Sequence, residues 1–127
     1  MGDPHEGKEL DLMLAGKKPL ATFIAEVDAE IPEKYIPEKA FYPYVQSGKI
    51  KRFSEDYYPL KIERHMRYVC FTLPGEEWRA EFFLWFARQR YGVGISYDPS
   101  HEYIIGRLLG YSNDEMGKYI EYTKSSA

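Results

Sequence analysis

Thr72–Gly92, TLPGEEWRAEFFLWFARQRYG, decides the architecture: it is the most apolar and aromatic run in the chain and carries its own start and stop signals. Thr72 or Gly75 is placed to cap a helix, and Glu76 and Glu77 follow where the helix dipole favours carboxylates. Trp78, Phe82, Trp85 and Phe86 recur at i, i+4, i+7 and i+8, one helical face. Ala80, Phe83, Leu84 and Ala87 widen it until little polar surface remains, and Arg79, Glu81, Arg88 and Arg90 take the rest. Gly92 is suited to a left-handed stop. A helix this apolar is expected at the centre of the core, buried on more than one side; the competing reading keeps an aromatic face for a partner. The run is too short and too broken by charge to span a bilayer.

Outward from this helix, Met66–Leu73 (MRYVCFTL) is the strongest strand signal. Leu20–Val27 is β-prone and apolar on both faces, hence expected inside a sheet. Lys49–Phe53 and Leu60–Glu63 alternate as half-exposed strands do, with a turn at Ser54–Pro59 between them. Lys8–Ala15 reads as a short amphipathic helix ended by Gly16, and Lys17-Lys18-Pro19 as a solvated turn. Asp28–Pro37 reads as a loop, and Glu38–Ser47 as a helix that Pro43 limits to a turn or so, closed by Gly48. Beyond Gly92, Val93–Tyr97 is a loop or short edge strand. Asp98-Pro99 then opens a helix that stops at Gly110. Ser112–Glu115 (SNDE) is a capping box opening the last helix, with Met116, Tyr119, Ile120 and Tyr122 turned inward.

The expected fold is therefore α+β: a small, mostly antiparallel sheet of three to four strands packed by a long aromatic helix, with a C-terminal helical hairpin. Its 127 residues suit a single domain, with 1–7 and 123–127 loose.

A net charge of −3 supplies no field that draws the chain to nucleic acid or anionic lipid. The lone Cys70 excludes an internal disulfide and a cysteine-rich zinc site, and its apolar neighbours make it a core residue rather than a nucleophile. His5, His65 and His101 form no pair at i, i+4, so neither a metal nor a cofactor is expected. With no signal peptide or membrane span in the pattern, a cytoplasmic protein is expected.

Three constellations suggest function. Aromatic residues make up 17% of the chain and include 12 tyrosines, a side chain that buries area while its hydroxyl stays wet. Tyr42, Tyr44, Tyr57 and Tyr58, in the loop-rich centre, are the candidate binding residues. Arg88, Arg90 and His101, near Tyr91 and the Gly92-Val93-Gly94 run, are the candidate catalytic set for phosphate or nucleotide chemistry. Glu63 and His65 share a strand face as a possible acid–base pair. Gly106, Leu109, Gly110, Met116 and Tyr119 have helix-turn-helix spacing, but Asp114 and Glu115 would carry negative charge into a phosphate-lined groove. The leading expectation is a small non-catalytic protein-binding, regulatory or inhibitor module with a protein partner or self-association. A nucleotide- or RNA-processing enzyme is the alternative, and DNA binding through the hairpin the third.

Overall fold

The computed structural model describes residues 3–27, 30–58, 64–93 and 99–126, and the side chains of all of these except 90–93, 99, 125 and 126. In chain order the elements are α1 (Glu9–Leu14), β1 (Leu20–Glu26), α2 (Glu38–Gln46), β2 (Lys51–Tyr57), β3 (Met66–Thr72), α3 (Glu77–Val93), α4 (Pro99–Leu108) and α5 (Asn113–Ser126). The class is α+β, as expected. One antiparallel sheet has the order β1-β3-β2.

MRYVCFT is the central strand, buried from Tyr68 through Thr72 because helices cover both of its faces. Alternation along β3 divides the core. Tyr68 and Cys70 pack with Leu20 and with Ala80, Phe83 and Leu84 of α3, alongside residues of α4 and α5. Val69 and Phe71 point the other way, to Met13, Ile36, Phe41 and Ile50. There the Phe41 ring of α2 stacks on Phe71 at 4.0 Å. The sheet is thus the middle layer between two helical layers.

Several local expectations change. β1 is an edge strand among those described, not an interior one; helices rather than a further strand account for its two apolar faces. β2 runs through the expected turn to Tyr57, because Ser54, Glu55 and Asp56 pair with Val69, Tyr68 and Arg67. Leu60–Glu63, and with it the Glu63–His65 pair, lies outside the described residues. α2 keeps nine residues despite Pro43, which sits on its exposed side, where a carbonyl deprived of its helical N–H is open to water. Thr72 ends β3 instead of capping α3. Gly75, at φ +91°, turns the chain and donates its N–H to Glu77 Oε1 at 2.8 Å. α3 does not stop at Gly92 but continues to Val93, and α5 continues past Thr123 to Ser126.

The largest correction concerns the orientation of α3. Ala80, Phe83, Leu84 and Ala87 are the buried stripe, whereas Trp78, Phe82 and Trp85 are 52%, 40% and 48% exposed. At 100° per residue the two sets lie on opposite sides of the helix. The alanines, two turns apart, bring the helix axis close to β3, and Phe83 meets Tyr68 edge-on at 5.3 Å.

The C-terminal hairpin forms as expected. The capping box is made: Ser112 N–H donates to Glu115 Oε1 at 2.9 Å and Glu115 N–H to Ser112 Oγ at 3.2 Å. Gly110 takes φ +85° to end α4, and a Cβ there would run into the Pro19 ring, so this position needs glycine twice over. A Cβ on Gly106 would lie 2.5 Å from Met116 Sδ, which is how closely α4 and α5 approach.

Candidate binding surface

The sequence-nominated tyrosines do not form one patch. Tyr42 is exposed on α2, and Tyr44, partly buried there, packs against the core on that side of the sheet. Tyr57 belongs to the opposite face of β2, stacked on Tyr68 at 5.3 Å and packed against the α3 side of the core. Tyr58 is 71% exposed and stacks on His65 at 4.7 Å. That histidine, with Arg67, grips Asp56: His65 Nε2 lies 2.7 Å from Asp56 Oδ2, and Arg67 Nε donates to Oδ1 at 2.7 Å. The Arg67 hydrogen bond, with His65 adding to it, holds the Asp56 carboxyl down at about 2.

The arginine–histidine set is likewise dispersed as far as it is described. Arg88 Nη1 donates to Glu55 Oε1 of β2 at 2.5 Å. His101, on α4, meets Phe86 edge-on at 5.2 Å. Neither lines the groove between α3 and α4 described next, and the Arg90 side chain lies outside the described residues. Cys70 is buried, and desolvation pushes its thiol up to about 12, far from a thiolate at neutral pH.

What the structure does assemble is an aromatic face on α3 and α4. Trp78 and Phe82 of α3 and Tyr103 and Ile104 of α4 line a groove of about 430 Å³, with Arg79 and Arg107 among its walls. Tyr103 and Ile104 are 48% and 38% exposed, and Trp85, one turn beyond Phe82 and two beyond Trp78, continues the surface. At about 200 Å² per large side chain, Trp78, Phe82, Trp85, Tyr103 and Ile104 present roughly 450 Å² to solvent. A patch of that size on one chain is commonly functional.

The arginines stiffen this face. Arg79 lies over the Trp78 ring at 4.7 Å, pairs with Glu76 at 2.7 Å, and donates to the carbonyls of Arg107 and Leu108 at the end of α4. Arg107 covers Tyr103 at 5.1 Å and donates to Asn113 Oδ1 at 2.6 Å. Each guanidinium shields an aromatic ring while tying two elements together. The aromatic surface is held in shape before anything docks.

A second feature that sequence reading missed is internal. Lys18, expected in a solvated turn, is 1% exposed, and His5, expected in a loose N-terminus, is 4% exposed. Lys18 Nζ donates to His5 Nδ1 at 2.8 Å and to the Leu109 carbonyl at 3.1 Å, and stands 4.9 Å from the centre of the Tyr111 ring. His5 must then keep Nδ1 unprotonated and donate from Nε2 to Glu115, at 2.9 Å. Desolvation brings the Lys18 ammonium down to about 8, and desolvation followed by the Lys18 charge lowers His5. Tyr111 in turn donates to Asp3, which ties residues 3–5 to the hairpin.

Among the described residues no cluster of His, Cys, Asp and Glu has the geometry to hold a metal ion, and no helix is long and apolar enough to cross a membrane. Comparison with protein-family models, with curated proteins and with solved structures found no match.

Proposed function

We propose that this protein is a small cytoplasmic protein-binding module, regulatory or inhibitory rather than catalytic, and that it engages its partner through the aromatic face of α3 and α4. The observation that carries this reading is the exposure of Trp78, Phe82 and Trp85 on the helix whose other side forms the core. Tryptophan and tyrosine beside arginine is the composition of interface hot spots. The rigid arginine clasps lower the ordering cost of docking. Tyr42, Tyr44, Tyr57 and Tyr58 are secondary, since they divide between the two faces of the sheet. The unpaired cysteine agrees with a reducing compartment.

The test is photo-crosslinking from benzoylphenylalanine placed at Trp85 or, as a control, at Tyr42, in lysate of the source cells. A discrete polypeptide adduct, of this chain or another, is expected from position 85 and none from 42. No protein adduct from position 85 would sink the reading.

A further inference from the structure

Resting on that binding reading, we infer that the partner on the aromatic face is a second copy of this chain, docked about a two-fold axis with the two α3 helices antiparallel. Three observations lead there. The first is shape. A two-fold interface must carry a projection and its matching recess on the same surface. Trp85 projects, 48% exposed, beside the groove that Trp78, Phe82, Tyr103 and Ile104 line. On an antiparallel copy centred near Phe82, each Trp85 meets the other copy's Trp78, on the near wall of its groove.

The second is area. Covering roughly 450 Å² of large side chains on each copy removes roughly 900 Å² in all. A specific interface needs about 1,000 Å², and the remainder has to come from the polar rim of Arg79, Arg107 and Gln89. A pair of this size belongs with weak to moderate complexes.

The third is charge. On the flank of α3 turned away from α4, Glu77 and Glu81 lie in the N-terminal half and Arg88 in the C-terminal half. Antiparallel helices related by a two-fold keep this flank on the same side in both copies and bring Glu77 of one towards Arg88 of the other, whereas a parallel pair would part the two flanks. Arg88 is already held in place by Glu55, so little side-chain freedom is lost on pairing.

The test is sedimentation equilibrium of the full chain from about 1 μM to about 1 mM, with tryptophan emission read on the same samples. The molecule contains only two tryptophans, and both lie on this face. The expected result is a monomer–dimer equilibrium with a blue shift of the emission on dimerisation. Trp85→Arg and Tyr103→Arg each weaken it by at least about thirtyfold, the size of a hot-spot loss. Tyr42→Arg, on the far side of the sheet, leaves it unchanged. A dimer untouched by both Trp85→Arg and Tyr103→Arg overturns the inference. So does a wild-type chain that stays monomeric to about 1 mM. The crosslink separates the two readings. A monomer that still gives a heterologous adduct from position 85 removes the second copy but keeps the binding module, whereas a monomer with no adduct removes both.

Discussion

The outer face of α3 and the site around Lys18 invert the usual distribution of side chains in opposite ways. The first leaves Trp78, Phe82 and Trp85 in water; the second takes Lys18 and His5 out of it. The difference lies in closure. Every strong interaction of the Lys18 ammonium is supplied from within the chain, by His5, the Leu109 carbonyl and the Tyr111 ring. The indole of Trp85 meets the Phe82 ring at 5.8 Å and still stands 48% exposed. A buried charge whose partners all come from the same fold leaves nothing for an outside group to complete, even though burying it carries a desolvation cost. An exposed aromatic surface that is rigid and uncovered points to something outside the chain.

The largest expected effect comes from the inner stripe of the same helix. Phe83→Ala removes a ring packed against Tyr68 in the main core and is expected to cost about 3–5 kcal/mol, read as a fall in urea midpoint. A loss under about 1 kcal/mol would mean that α3 does not sit on the sheet by this face.

The closed site is tested by pH. Lys18 is lowered to about 8 in the folded chain against an ordinary 10.5, so the unfolded chain holds that proton more tightly. Between those values unfolding takes up a proton, and stability contributed by this residue rises with pH; below and above the window it is flat. The rise is about 3 kcal/mol at 1.36 kcal/mol per pH unit. Lys18→Met lacks it, so wild type is expected to gain about that much over the variant when both are unfolded in urea at pH 7 and at pH 10.5. A constant difference would show that the ammonium is hydrated and the site open.

What the sequence made legible was local. Strand β3, the capping box at Ser112–Glu115 and the stop at Gly110 depend on neighbours within four residues and were read correctly. The orientation of α3 depends on which of two opposite apolar stripes meets the sheet, and periodicity is equally satisfied by both. The usable signal was size: the small Ala80 and Ala87 flank Phe83 and Leu84 on the stripe that approaches the strand, whereas both tryptophans lie on the other stripe. Burial of Lys18 had no such signal. Lys17 and Lys18 are identical to any local rule, and the groups that select Lys18 are 13 residues away at His5 and 91 away at Leu109. The extension of β2 failed for the same reason, since Ser54-Glu55-Asp56 is a polar run whose partners lie on β3.

The smallest effect is the most discriminating. Trp78→Ala takes away a larger ring than Phe83→Ala does, from the same helix, yet that ring lies under the Arg79 guanidinium and stands half in water. The dilute chain is expected to lose no more than about 0.5–1 kcal/mol, the scale of a surface substitution with one exposed cation–π contact. If the face is a docking surface, that small loss in dilute solution must coexist with a large loss of association, because the same ring counts for little alone and for much once covered. A Trp78→Ala chain that loses several kcal/mol in urea at low concentration would place this ring in the fold's own core, and the contrast between the two stripes of α3 would collapse.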